Sequence, residues 1–238
     1  MTGGGFMYLT NPALMLGQNA TPMVREKYGQ KGKKGTIAES MARLWYFLQT
    51  LVRGMRNVIF AINITLDGCC DHTKQLADDE THEYFTQLLR EVDLLVFGRK
   101  TYQLMVPFWP DVAKNQSETK AMNEFAQTFD SINKIVFSRS LDSSEDRNTK
   151  IVRSDLGGEI LKLKQEQGKS ILVGGASVPS QLIELGLIDE YRFVVGPIVA
   201  GEGRRLLEGV SLPERLQLKL VESKIFKSGC VALRYLKQ

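Results

Sequence analysis

The pattern that most restricts the fold of this chain is a series of short apolar segments that end at glycine and alternate with helical segments. Leu94–Phe97 ends at Gly98, and Ile171–Val173 ends at Gly174. Strands that are buried on both faces carry continuous apolar runs of this kind, and parallel strands need long crossover connections, usually helices. The pattern therefore predicts an α/β domain in three layers, with a mostly parallel sheet between two layers of helices.

The remaining segments after Asn57 fit the same alternation. Val58–Leu66 is predicted as the first strand, and Asp67 and Gly68 close it as a turn. Further helices are predicted over Asp78–Arg90, Lys120–Phe129, Gly158–Gln167 and Val178–Leu185, and further strands over Lys134–Ser138, Tyr191–Val195, Leu216–Phe226 and Cys230–Leu236. The last two strands are close enough in sequence to form an antiparallel hairpin, so the sheet is predicted to be mixed.

Residues 1–54 differ in composition from the rest and are predicted to be an N-terminal extension, flexible or a short helix, to one domain over residues 55–238. The extension carries 7 Lys/Arg and 2 Asp/Glu, a balance of +5, and the remainder carries 24 and 25, a balance of −1. The basic excess therefore lies outside the predicted domain, which argues against nucleic-acid binding. Three interpretations of the extension stay open: an artefact ahead of a natural start at Met55, an organelle-targeting segment, or a helix that docks on a partner or on the domain itself.

Cysteine usage and hydropathy argue against two further classes. Three cysteines, of which Cys69 and Cys70 are adjacent, give neither a disulfide framework nor a metal-ligand spacing, so no metal site is expected. No apolar stretch reaches the roughly 18 residues that a transmembrane helix needs, so no membrane association is expected. These features predict a protein of a reducing compartment, the cytoplasm.

Three strand ends carry residues suited to a phosphate-bearing cofactor, because ligands of open α/β sheets bind outside the carboxyl ends of the strands. Gly98–Thr101 combine a glycine, two cations and the amides that open the next helix. Ser138 and Arg139 supply a hydroxyl and a guanidinium that suit a ribose 2′-phosphate, which favours NADPH over NADH. Gly174–Val178 place paired glycines at a strand-to-helix turn. The candidate cofactor residues are Gly98, Arg99, Lys100, Thr101, Ser138, Arg139, Gly174, Gly175, Ala176, Ser177 and Val178.

Each of these segments taken singly also fits a simpler interpretation. A glycine after a strand is often only a tight turn, and an exposed cation is usually solvated. None of the three segments is the dinucleotide fingerprint with three spaced glycines. It is their joint placement at successive strand ends that predicts a cofactor site.

The order of four segments in the chain resembles that of the dihydrofolate reductase superfamily. These segments are Ile64–Gly68, Val96–Tyr102, Val136–Arg139 and Ile171–Gly175. Two more, Gly186–Tyr191 and Gly196–Gly203, are similar to the branch that contains the reductase domain of riboflavin biosynthesis. The resemblance extends from about Met55 to the C-terminus.

This resemblance implies an NADPH-dependent reductase that transfers a hydride to a small pyrimidine- or pteridine-like heterocycle. In the riboflavin branch the reaction is that of a 5-amino-6-(5-phosphoribosylamino)uracil reductase, and a homodimer is common. The resemblance also places Asp67 near the active cleft, as the first candidate for substrate contact or proton delivery. Two alternatives stay open, a dihydrofolate reductase and a non-catalytic nucleotide-binding module.

The first helix departs from the pattern of dihydrofolate reductases, which place a carboxylate shortly before an aromatic–Phe pair. Tyr84 and Phe85 match that pair and are expected in the core, but the carboxylate position falls at about Thr81. Glu80 and Glu83 lie nearby and are the secondary catalytic candidates, although a helix turns each of them to a different face.

A second departure follows the first phosphate-binding segment. The riboflavin-pathway reductases carry an acidic residue followed by Asp-Pro there, whereas this chain carries the aromatic segment Pro107–Pro110. Two interpretations of the segment remain: a lid whose aromatic rings stack on a planar substrate, or a hydrophobic plug or dimer contact.

Overall fold

The computed structural model describes residues 55–75, 77–212 and 214–238, so the expectations for residues 1–54 lie outside the described part of the chain. The strands are β1 (Val58–Thr65), β2 (Val92–Gly98), β3 (Asn133–Phe137), β4 (Thr149–Val152), β5 (Ser170–Val173), β6 (Glu190–Gly196), β7 (Leu218–Ile225) and β8 (Val231–Lys237). The α-helices are α1 (Asp79–Arg90), α2 (Arg99–Met105), α3 (Phe108–Asn115), α4 (Lys120–Ser131), α5 (Leu156–Gln165) and α6 (Ser177–Glu184).

All eight strands belong to one sheet with the order β4-β3-β2-β5-β1-β6-β8-β7. The strands from β4 to β6 pair in parallel, and the hairpin of β7 and β8 adds an antiparallel edge to β6. The predicted mixed, mostly parallel sheet with a C-terminal hairpin is therefore confirmed.

Alternate residues of the central strands pack against the two helical layers, which confirms the three-layer architecture. On β1, Val58 and Phe60 face the layer of α5 and α6, whereas Ile59 and Ala61 face the layer of α1, α2 and α4. Val58 and Phe60 are fully buried. Burial of each large apolar side chain of this kind stabilises the fold by about 1.5–3 kcal/mol. This two-sided burial explains why the strands are continuous apolar runs.

The central strands end at different heights, and this leaves an opening in the sheet. β1 pairs with β5 only as far as Phe60 opposite Val173, but its pairing with β6 continues to Thr65 opposite Gly196. The last residues of β1 therefore have β6 on one side and the β5–α6 turn on the other. This opening, which we call the β1 notch, is bounded by residues 61–65.

Among the strands and α-helices of the described residues, β4 and α3 were not predicted from the sequence pattern. Strand β4 is short and only partly buried, so its apolar signal is weak. The aromatic segment that begins at Pro107 forms the first turn of helix α3, where the ring of Trp109 packs on Phe125 of α4 with 4.5 Å between ring centroids. Phe108 remains 47% exposed. Trp109 therefore behaves as the hydrophobic plug of the second interpretation.

The described residues contain neither a candidate membrane-spanning helix nor a candidate metal-binding cluster. Among the helices assigned there, none is both long enough and apolar enough to cross a membrane. No group of three or more His, Cys, Asp or Glu side chains in residues 55–75, 77–212 and 214–238 is arranged to hold a metal ion.

Candidate cofactor site

A pocket of about 750 Å³ lies across the carboxyl ends of β4, β3, β2 and β5. Binding sites for small molecules usually have volumes of roughly 300–1,000 Å³. The lining residues are Gly98, Arg99, Lys100, Thr101, Phe137, Ser138, Arg139, Val152, Arg153, Ser154, Asp155, Leu156, Gly157, Gly174, Ala176, Ser177, Val178, Gln181, Leu185 and Arg204. Four neighbouring strand ends therefore contribute to one continuous site.

The charge of this lining is strongly positive. Its cations are Arg99, Lys100, Arg139, Arg153 and Arg204, and its one carboxylate among the described lining residues belongs to Asp155. That carboxylate caps α5, because its Oδ2 accepts a hydrogen bond of 2.6 Å from the Gly158 amide. Five cations around one engaged carboxylate make the pocket suited to a ligand with several negative charges.

Glycines at the strand ends allow close packing of neighbouring side chains against the backbone. A Cβ atom on Gly98 would lie 3.4 Å from Val178, and one on Gly174 would lie 3.0 Å from the ring of Phe97. Next to them, Ala176 begins α6 without a side-chain hydrogen bond to the first-turn amides. Free amides at the start of a helix favour anions.

Most of the predicted cofactor residues lie together in this pocket. Of the eleven candidates, all except Gly175 line it. Gly175 lies just behind the lining with φ of +81°, and a Cβ atom there would lie 2.2 Å from Thr101 Oγ1. Gly175 therefore determines the backbone path of the β5–α6 turn and does not itself line the pocket. The assignment of these residues to NADPH stays a prediction.

Two of the cations that line the pocket were missed in the sequence. Arg153 follows β4, and its guanidinium donates to the Leu141 carbonyl at 2.7 Å. Arg204 lies in the loop between β6 and β7 and donates to Ser177 Oγ at 3.2 Å. The signal for Arg204 was its position immediately after the segment Gly196–Gly203, but only the fold brings that loop to the pocket.

Asp67 organises the loop that carries Arg204. Its carboxylate accepts hydrogen bonds from the amides of Ala200 (3.0 Å) and Gly201 (2.9 Å), and from Thr65 Oγ1 (2.5 Å). The guanidinium of Arg205 lies 2.6 Å from its Oδ2. The hydrogen bonds from Thr65 and Arg205 lower the pKa of Asp67 far below its ordinary value. In this position the Asp67 carboxylate is ionised and is already held by these hydrogen bonds and by Arg205. This arrangement suits a residue that positions the loop better than one that donates a proton.

We expect the Asp67→Asn variant to unfold at a lower temperature than wild type at pH 7. Because the folded-state pKa is depressed, the ion pair stabilises the fold above the unfolded-state value of about 3.9 and is lost as the pH falls below it. Thermal unfolding followed at pH 7 and in steps below pH 4 checks this. The difference in midpoint should shrink toward low pH, and a matched exposed substitution, Asp142→Asn, should show no such trend. A pH-independent difference would contradict this role of the Asp67 charge.

The two secondary catalytic candidates lie away from the pocket lining. Glu80 Oε2 accepts a 2.6 Å hydrogen bond from the Lys227 amide, which holds the start of α1 against the β7–β8 turn. Glu83 is exposed on α1. Glu80 therefore has a structural partner, and the catalytic assignment of both residues stays a prediction.

Comparison with known proteins agrees with this architecture. The RibD C-terminal domain family matches residues 56–232. The uncharacterized protein YyaP of Bacillus subtilis (strain 168) is 32% identical over 184 residues, which are 76% of this chain and 94% of YyaP. The uncharacterized protein YwjB of the same strain is 26% identical over 174 residues, which are 69% of this chain and 90% of YwjB.

Solved structures share the fold at lower identity. A putative riboflavin biosynthesis protein from Shewanella sp. PV-4 superposes with a TM-score of 0.58 at 19% identity, over 76% of this chain and 99% of that one. RibD of Acinetobacter baumannii gives a TM-score of 0.57 at 16% identity, over 91% of this chain and 68% of that one. A diaminohydroxyphosphoribosylaminopyrimidine deaminase/5-amino-6-(5-phosphoribosylamino)uracil reductase from Thermotoga maritima gives 0.56 at 18% identity, over 91% of this chain and 66% of that one.

The sheet order and the pocket at the strand ends define a dihydrofolate reductase-like α/β domain. Within that class, the chain belongs to the RibD C-terminal domain family.

Proposed function

We propose that this protein is an NADPH-dependent reductase that transfers a hydride to a small substrate with a pyrimidine-like ring. The observation that carries the proposal is the presence of five cations in a pocket that spans four neighbouring strand ends, where the one carboxylate among the described lining residues already caps α5. A dinucleotide with a pyrophosphate and a 2′-phosphate has the several negative charges that such a lining attracts.

The position of each cation along the sheet suggests which it would bind, the 2′-phosphate or the pyrophosphate of NADPH. Arg139 and Arg153 follow β3 and β4, at the outer edge of the sheet, and would hold the 2′-phosphate. Arg99 and Arg204, together with the amides that open α6, would hold the pyrophosphate nearer to β5. Both assignments rest on the order of the strands in the sheet.

Bound NADPH supplies a hydride, and the protein contributes binding, orientation and exclusion of water. Gly98 and Gly174, at the ends of β2 and β5, line the pocket and would contact the cofactor. Asp67 fixes the loop that brings Arg204 over the pocket. These residues position the reactants, and positioning accounts for much of the rate in reactions of this type.

The same family placement favours a pyrimidine over dihydrofolate as the acceptor. The Thermotoga maritima protein carries the name of a phosphoribosylaminouracil reductase. In addition, the position where dihydrofolate reductases hold a carboxylate is occupied by Thr81, which is 2% exposed. A hydroxyl does not supply the negative charge that would stabilise a protonated pteridine ring.

We expect NADPH oxidation when 5-amino-6-(5-phosphoribosylamino)uracil is added to the purified protein, and none above background when dihydrofolate is added. Loss of NADPH absorbance under single-turnover conditions, with product identified by mass spectrometry, checks this. NADPH oxidation with dihydrofolate but not with the pyrimidine would indicate that the substrate is a folate. NADPH binding without oxidation by pterins, pyrimidines or flavins would support the non-catalytic nucleotide-binding module instead.

A further inference from the structure

Asp155 is the one acidic residue among the described residues that line the cofactor pocket. Its Oδ2 accepts the 2.6 Å hydrogen bond from the Gly158 amide that caps α5. Its Oδ1 accepts no hydrogen bond from any residue that the structure describes, and the residue is exposed. One oxygen of this carboxylate is therefore committed to the helix, and the other can bind a ligand in the pocket.

Asp155 and Arg139 lie at neighbouring strand ends of this pocket. Arg139 follows β3 and Asp155 follows β4, and these two strands pair in parallel. The Ser138 amide donates to the Val152 carbonyl at 3.1 Å, which ties the two strand ends together just before both residues. Neighbouring strands are only about 4.8 Å apart. A ligand group that reaches one of these side chains therefore lies close to the other.

The carboxylate and the guanidinium groups at this edge of the sheet do not neutralise each other. Arg153 donates to the Leu141 carbonyl at 2.7 Å. Among the described residues, no ion pair joins Asp155 to Arg139 or to Arg153. The two strand ends therefore present an acidic and a basic group to the same part of a ligand.

The ribose 2′ position is the one place where the two nicotinamide coenzymes differ. NADPH carries a phosphate there, with a charge of about −1.5 to −2 near neutral pH, so a guanidinium attracts it and a carboxylate repels it. NADH carries a hydroxyl, and an acidic residue that accepts a hydrogen bond from this hydroxyl is a common means of binding NADH in dinucleotide-binding folds. A site with one group of each kind has a binding mode for each coenzyme.

We propose that Asp155 is a specificity-determining residue whose second carboxylate oxygen binds the ribose 2′-hydroxyl of NADH, so that the pocket accepts NADH as well as NADPH. This inference deepens the proposed reductase function and rests on it for the identity of the ligand. Both coenzymes donate the same hydride from the nicotinamide ring. The balance between Arg139 and Asp155 therefore decides the ratio of the two affinities. The competing explanation is that Asp155 only caps α5.

The test measures the affinities of wild type and Asp155→Asn for both coenzymes by calorimetry. Asn caps a helix about as well as Asp, so the variant keeps the start of α5. We expect wild type to bind both coenzymes. Asp155→Asn should weaken NADH binding about three- to tenfold, because hydrogen bonds to charged groups are roughly twice as strong as neutral ones. It should tighten NADPH binding by about threefold or more, and this gain should decrease with added salt.

Two further variants separate this role from helix capping. Asp78→Asn is the matched control, because Asp78 caps α1 through a 2.8 Å hydrogen bond from the Thr81 amide and does not line the pocket. It should change neither coenzyme affinity. Asp155→Ser keeps a side chain that caps well but has no carboxylate, so it should shift the affinity ratio toward NADPH as Asp155→Asn does. Thermal unfolding of each variant checks that the fold is kept.

Two nucleotides without a nicotinamide ring, AMP and adenosine 2′,5′-bisphosphate, carry the same difference at the 2′ position and are titrated by NMR. An unchanged ratio of NADH to NADPH affinity in Asp155→Asn, or binding of NADPH without NADH by wild type, would overturn the specificity inference and leave the reductase proposal standing. A preference between the two nucleotides that depends on Asp155, in a folded protein that binds neither coenzyme, would support the role of Asp155 and overturn the reductase proposal alone. Binding of none of the four ligands would overturn both.

Discussion

Arg139→Ala is expected to weaken NADPH binding by about 10- to 100-fold, which corresponds to about 1.4–2.7 kcal/mol, and to leave NADH binding unchanged. Arg139 is an exposed residue of the pocket lining, and its guanidinium makes no hydrogen bond or ion pair with any residue that the structure describes. Its neighbour Arg153, in contrast, already donates to a backbone carbonyl. Of the two arginines at the outer edge of the sheet, Arg139 is therefore the one with more capacity left for a 2′-phosphate.

Calorimetric titration with NADPH and NADH in parallel checks this expectation. Arg147→Ala is a matched control, because Arg147 is an arginine that precedes β4, its side chain is 81% exposed and it does not line the pocket. Removal of an exposed charge that touches no ligand should change neither affinity measurably. The effect of Arg139→Ala should also decrease with added salt, because screening weakens charge interactions at exposed sites. If Arg139→Ala weakens the binding of NADPH and NADH equally, Arg139 contacts the pyrophosphate and not the 2′-phosphate. If it weakens the binding of neither, Arg139 does not contact the cofactor.

The sequence predicted the parts of the fold whose local signal agrees with their burial. Leu94–Phe97 and Ile171–Val173 are apolar throughout because β2 and β5 are covered on both faces, and the structure confirms both strands. β4 was missed because Thr149–Val152 lies at the edge of the sheet and has only four residues, two polar followed by two apolar. A strand of this kind forms because it pairs with β3, and its own sequence gives only a weak signal.

The candidate site shows the same division between local and long-range information. Gly98–Thr101, Ser138 and Arg139 could be predicted because each segment directly follows a recognisable strand. Arg204 could not, because its place in the pocket depends on a loop that hydrogen bonds to the β1–α1 connection through the Cys70 amide, at 2.9 Å from the Arg204 carbonyl. The sequence could equally not show that Thr81 Oγ1 is buried without a hydrogen-bond partner among the described residues, since such partners are set by the tertiary structure.

Asp67 illustrates how a motif can be located correctly and still leave its role open. The turn after β1 could be predicted from Asp67 and Gly68, and it does lie at the end of the sheet that carries the pocket. Its carboxylate, however, bonds to the amides of Ala200 and Gly201 rather than pointing free into a cleft. A carboxylate with this many donors stays ionised, so the structure favours a role in which Asp67 acts through the loop of Arg204.

Gly175→Ala is expected to destabilise the protein by about 2–5 kcal/mol and to abolish most of its NADPH affinity. Two costs add at this position. The backbone has φ of +81°, a region that costs a residue with a Cβ atom about 1–2 kcal/mol. The new Cβ atom would also lie 2.2 Å from Thr101 Oγ1, and overpacking of this kind costs about 1–3 kcal/mol. Because Gly175 connects Gly174 to the start of α6, relief of the contact must move the turn that lines the pocket.

Two variants separate these costs. Gly209→Ala carries the same backbone strain, with φ of +79°, but nothing lies within 4 Å of its Cβ position, so it should lose only about 1–2 kcal/mol and keep NADPH affinity. Thr101→Ala removes the hydroxyl and leaves a Cβ atom 3.2 Å away, so the double variant Gly175→Ala/Thr101→Ala should be more stable than the sum of the single variants predicts. Chemical unfolding with urea and calorimetry with NADPH measure both quantities. If Gly175→Ala and Gly209→Ala cost the same, the contact between the β5–α6 turn and α2 contributes nothing, and the pocket wall at this position depends on backbone conformation alone.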